Sequence, residues 1–105
     1  SGNSFVHETE SQVILNGSYN INFTMDLVLK DTGLFDDLAK KLGTPLEISP
    51  KVVEIFKDGQ KKYGSRAWSS MIVKRMEDMN NINFRANGFP EELTDNEPEE
   101  KGYEI

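Results

Sequence analysis

The chain contains no cysteine, which excludes a disulfide framework, a thiolate zinc site and a cysteine nucleophile. It holds a single histidine, His7. A catalytic imidazole needs a base partner or an acidic orienter, and the sequence shows neither, so His7 reads as a surface or helix-face residue. No apolar run approaches the ~20 residues needed to cross a bilayer, and the start has neither the basic nor the apolar segment of a signal peptide. A soluble, cytoplasmic protein with no membrane partner is expected. Glycine-rich phosphate turns of the GxGxxG and P-loop kinds and the GxSxG elbow are also absent. Asp36-Asp37 and the C-terminal acids lack ligand spacing or a companion histidine, so no metal site is expected.

Positive charge is scarce too. With 12 basic and 18 acidic residues the net charge is −6, which argues against nucleic acid as a partner. The imbalance is local. Between Phe89 and Ile105 stand Glu91, Glu92, Asp95, Glu97, Glu99, Glu100 and Glu104 against Lys101 alone, so the other 88 residues are formally neutral. With Pro90 and Pro98 and few apolar residues, this segment cannot bury enough surface to offset its ordering entropy. The expectation is one helical domain over 1–88 and an acidic extended tail over 89–105. The chain opens on Ser1-Gly2 and not on methionine, as expected of a processed product or a piece of something longer. Asn16-Gly17-Ser18 and Asn22-Phe23-Thr24 match the glycosylation sequon, but no secretion signal accompanies them.

What is present is helical periodicity in an apolar and polar pattern. A short first helix after Ser4 carries Phe5, Val6, Thr9 and Val13 on one side and breaks at Asn16-Gly17-Ser18. A second runs from about Phe23 to Leu42 with Phe23, Leu27, Leu34, Leu38 and Leu42 as its stripe. Lys40 and Lys41 suit its C-terminal dipole, Gly43 can take the left-handed cap, and Pro45 blocks continuation. A third begins at Ser49-Pro50 with the stripe Val52, Ile55, Phe56, Gly59 and Tyr63. Gly59 is costly for a helix interior, so close approach of another backbone or a ligand is expected there. A fourth, capped near Ser65, carries Trp68, Met71, Ile72, Met76 and Met79 and ends at Asn80-Asn81. No useful strand pattern is seen. The fold class is all-α, a single bundle of about four helices.

Lys30 is the most informative residue, because on a helical wheel it falls inside the apolar stripe of the second helix. Two readings stand. In one it is an edge lysine that snorkels, paired with Asp26 one turn back; in the other it presents its ammonium to an anionic or polar ligand across a cleft. Arg66 and Trp68, beside Tyr63, form a second candidate, either a carboxylate- or ring-binding corner or an interhelix packing corner.

The run from Phe23 to Leu34, FTMDLVLKDTGL, and the stretch from Leu38 to Leu46, LAKKLGTPL, resemble the C-terminal helical domain of the β-hydroxyacid dehydrogenases. That family includes 3-hydroxyisobutyrate dehydrogenase and tartronate semialdehyde reductase, within the 6-phosphogluconate dehydrogenase C-terminal-like superfamily. Gly2-Asn3-Ser4-Phe5 is similar to the family's G-x-S-W/F segment, and Tyr63-Gly64 with Ser69 to the G…S segment opening its last helix. Thr32, where leucine is usual, and Ala67, near a usual aspartate, depart from the pattern. The resemblance implies that Lys30 lies near the nicotinamide end of NAD or NADP, that Asp31 supports that helix, and that Phe23 lines the same cleft. It further implies a Rossmann domain of the same protein as partner, a homo-oligomer, and a small hydroxy acid as substrate of an oxidoreductase. The dinucleotide turn and the catalytic lysine of that family lie upstream of anything in this sequence, so this piece alone is expected to be inactive. The alternative is a free-standing helical interaction or oligomerisation module, with Phe23, Trp68 and the methionines as its surface.

Overall fold

A computed structural model describes residues 1–93 and 98–102; of the expected acidic tail, Asp95, Glu97 and Glu104 lie outside the described residues. Four α-helices follow one another, α1 (Phe5–Asn16), α2 (Met25–Leu42), α3 (Ser49–Tyr63) and α4 (Lys74–Asn80), with a 3-10 segment at Ser69–Val73 leading into α4. Among the described residues the sole extended pairing is an isolated antiparallel bridge between Thr24 and Trp68.

Local chemistry accounts for most helix ends. The Ser4 hydroxyl accepts the backbone N–H of His7 at 3.0 Å and so caps α1, while Gly17 closes it in the left-handed conformation. Gly43, also left-handed, closes α2 after Lys40 and Lys41. At α3 the cap lies one residue earlier than expected, at Ile48, and Ser49 instead donates its hydroxyl to Asp36 at 2.6 Å, tying α3 to α2.

The fourth helix differs more. Ser65 caps nothing; residues 64–68 run as a turn and an extended step. The reason is non-local. The carbonyls of Ala67 and Ser65 accept the N–H groups of Met25 and Asp26 at 2.9 and 3.1 Å, and Ser69 N–H donates to Phe23 O at 2.7 Å. The first turn of α2 leaves orphan donors, and this segment satisfies two of them. A helix starting at Ser65 would withdraw those carbonyls.

The core is small. Val13, Tyr19, Met25 and Ala39 are its buried apolar residues, with Thr24, Ser69, Ser70 and Glu77 buried beside them. Gly59 is a point of close approach, and what approaches it are side chains. A Cβ there would lie 2.7 Å from Ile72 Cδ1 and 3.0 Å from Met25 Sδ. The stripes outrun this core. Phe5 and Val6 of α1, Leu34, Leu38 and Leu42 of α2, and Met76 and Met79 of α4 are all exposed, so much of the apolar periodicity is not covered among the described residues.

Candidate functional site

The exposed face of α2 carries the candidate residues. Phe23 stands immediately before the cap residue Thr24 and is 37% exposed. Lys30, seven residues on, lies inside α2 on an exposed side of the helix, whereas Phe23 precedes the helix, which starts at Met25. Leu34, Leu38 and Leu42, 63%, 54% and 70% exposed, continue that side toward the C-terminus. A cation thus heads an open apolar side of α2, and an exposed aromatic residue stands just ahead of the helix.

Lys30 does not pair with Asp26. Its ammonium lies 3.3 Å from Asp31 Oδ1, both side chains being well exposed. Asp26 is engaged elsewhere: it accepts the Thr24 hydroxyl, the Leu27 N–H at 3.0 Å and Arg66 Nη1 at 3.2 Å. The Thr24 hydrogen bond first, and then the Arg66 guanidinium, hold its carboxyl below the usual range. The snorkelling reading loses its partner, and Lys30 is left to Asp31 and to solvent. A groove of about 460 Å³ opens beside it between α2 and α3, with Lys40 and Lys57 but also Asp26, Asp36 and Asp37 on its walls.

The second candidate resolves into packing. Arg66 turns to Asp26, Tyr63 donates its hydroxyl to Asp78 at 2.7 Å, and the Lys74 ammonium sits 5.8 Å from the Tyr63 ring centroid. Trp68 is extended and half-buried against Thr24. Tyr63, Arg66 and Trp68 therefore serve three different contacts at an interhelix corner. His7 is exposed, its Nδ1 3.2 Å from the Ser11 hydroxyl. Among the described residues no group of acids or histidine could hold a metal ion.

One cluster escaped the sequence reading. Tyr19 donates its hydroxyl to Glu77 Oε1 at 2.5 Å, Arg85 Nη2 donates to the same hydroxyl at 2.8 Å, and Arg85 Nη1 donates to Glu77 Oε2 at 3.3 Å. Glu77 is 1% exposed. The guanidinium also stacks 5.1 Å from the Tyr19 ring centroid. Burial first, then the Glu77 hydrogen bond, pushes the Tyr19 phenol above its ordinary range. Arg85 draws the segment after α4 back over α1, where Ala86 N–H meets Leu15 O at 3.1 Å and the Asn16 amide meets Pro90 O at 2.5 Å. The available signal was that Arg85 is the only cation between Arg75 and Lys101.

Residues 1–76 match the family described as NAD-binding of NADP-dependent 3-hydroxyisobutyrate dehydrogenase. The chain is also similar to the L-threonate dehydrogenases of Escherichia coli and Haemophilus influenzae, 30% identical to each over 74 residues. Those matches cover 70% of this chain but 24% and 25% of the relatives, so the chain spans about a quarter of the length of the curated relatives it matches. No solved structure matches it significantly.

Proposed function

The chain belongs to this 3-hydroxyisobutyrate dehydrogenase family of C-terminal, NAD-binding domains, and from that membership we propose that it forms one wall of the cofactor and substrate cleft of an NAD(P)-dependent hydroxyacid dehydrogenase. The other wall is a Rossmann domain of the same protein, which holds most of the dinucleotide. The substrate is a small hydroxy acid, and the enzyme works in the cytoplasm as a homo-oligomer. The helical domain spans residues 1–88, with the acidic tail beyond it, and alone it is catalytically incomplete.

One observation carries this reading. Lys30, Leu34, Leu38 and Leu42 lie along one side of α2, Phe23 stands just ahead of the helix, and all five are open to solvent, although an apolar helix stripe is stable when another surface covers it. The two ends of the stripe suit two tasks. Toward Leu42 it is wholly apolar and fits a packed domain or subunit interface; toward Phe23 it combines a cation with an aromatic face. That donor set fits a dinucleotide, which offers anionic phosphates and planar rings. Lys30 supplies charge to the cofactor's anionic part, Asp31 orients the ammonium from 3.3 Å, and the Phe23 ring excludes water from the cleft. The bound nicotinamide supplies the hydride chemistry.

The exposure of Met76 and Met79 favours the second reading, an interaction module, but it gives no role to Lys30. The test is Lys30→Ala in the full-length protein that carries this chain. Loss of a charge-assisted contact is expected to raise the KM for NAD(P) by about tenfold or more. Unchanged kinetics would refute the assignment of this face to the cofactor.

A further inference from the structure

We propose that Tyr19 is a positioning residue for Phe23, holding the α1–α2 connection so that the aromatic ring faces the cofactor cleft; the proposal rests on the reading of α2 given above. The connection is short and unusually constrained. Tyr19 has φ 54° and Asn22 φ 58°. Asparagine tolerates the left-handed region, whereas a bulky tyrosine adopts it only where the surroundings over-determine it.

Tyr19 is fixed from three sides. Its N–H donates to Val13 O at 3.0 Å. Its carbonyl accepts the buried Ser70 hydroxyl at 2.6 Å, and its own hydroxyl lies between Glu77 and Arg85. Four residues on, the Phe23 carbonyl accepts the N–H of Ser69, the neighbour of Ser70, at 2.7 Å. The two ends of the loop are thereby pinned to adjacent residues of the 3-10 segment, so the span from Tyr19 to Phe23 is held at both ends. A left-handed backbone held at the fixed end of so short a span sets the direction in which the chain enters Phe23.

Arg85 completes the arrangement from outside the matched region, since the family match ends at residue 76. The segment after α4 thus reaches the α1–α2 connection through the contacts of Arg85 with Glu77 and Tyr19. Tyr19→Phe is the discriminating change, because it removes the hydroxyl and leaves the Glu77 and Arg85 pair in place.

The experiment compares Tyr19→Phe, Phe23→Ala and the double variant in the full-length protein, reading the KM for NAD(P), the KM for the hydroxy acid, kcat and Tm. Tyr19→Phe is expected to raise the cofactor KM by about three- to tenfold without changing the hydroxy acid KM, because small misplacements at a cleft weaken binding strongly. In the Phe23→Ala background the same change should add nothing to the cofactor KM, which a merely structural role would not produce. An unchanged cofactor KM in Tyr19→Phe beside a raised one in Phe23→Ala overturns the positioning role alone. An equal rise in both backgrounds also overturns it. A silent Phe23→Ala removes the reading of the cleft and the proposal with it.

Discussion

Arg85→Met isolates the cost of a buried charge. Glu77 is 1% exposed and Arg85 37% exposed, so the substitution removes a partly wet cation and strands a dry carboxylate, leaving Tyr19 as its remaining side-chain partner. Removing one member of a buried ion pair costs about 3–5 kcal/mol, far above the ~0–1 kcal/mol of a surface pair. Because solvent reaches the guanidinium, the lower end applies, about 3 kcal/mol. For a domain of this length each kcal/mol moves Tm by roughly 4–8 °C, giving a drop of about 12–24 °C. Urea unfolding followed by far-UV circular dichroism measures the free energy, and a thermal scan the midpoint. Glu77→Gln in the Arg85→Met background should recover most of the loss, because the neutral amide still accepts the Tyr19 hydroxyl without a bare charge. A single-variant loss below about 1 kcal/mol, or a double variant no better than the single, would refute the argument that burial of Glu77 sets the cost.

Two further outcomes follow from the packing. Gly59→Ala gains up to about 1 kcal/mol in helix propensity but overpacks against Ile72 and Met25, at a cost of about 1–3 kcal/mol; with Met25 fully buried and unable to retreat, a net loss of about 1 kcal/mol in urea unfolding is expected. Burial, and then the hydrogen bond to Asp78, push the Tyr63 phenol up from 10.0 to about 12. A folded-state pKa above the unfolded one contributes stability that is whole below the unfolded value and is lost as pH climbs through the folded one. Tyr63→Phe should therefore flatten the stability loss between pH 10.0 and about 12, read as urea midpoints across that window.

Local rules made α1 and α2 legible. Ser4 caps, Gly17 and Gly43 terminate, and Lys40 and Lys41 sit where the dipole favours them. The same rules failed over residues 64–68, because what decides that segment is the demand of α2 for carbonyl acceptors some 40 residues earlier in the chain. Periodicity marked Leu34, Leu38 and Leu42 as one side of α2, and all three stand exposed along it, but it ran that helix back to Phe23, which lies ahead of the helix start at Met25. Periodicity identifies a face that wants burial and not what buries it. The family membership was legible in the run around Lys30-Asp31, and residues 1–76 match that family. The Tyr19, Glu77 and Arg85 cluster was not legible. Its members lie 58 and 66 residues apart, and a glutamate between two methionines in a helix gives no sign that it is buried.

Trp68, the chain's one tryptophan, has its backbone set between two of the bonds that start α2. The residue before it accepts from Met25, the residue after it donates to Phe23, and Trp68 itself bridges to Thr24. Its half-buried indole is consequently a built-in optical gauge of the helix start that presents Phe23. Emission from that single ring reports, without any attached label, on whether the corner beneath the exposed face is intact.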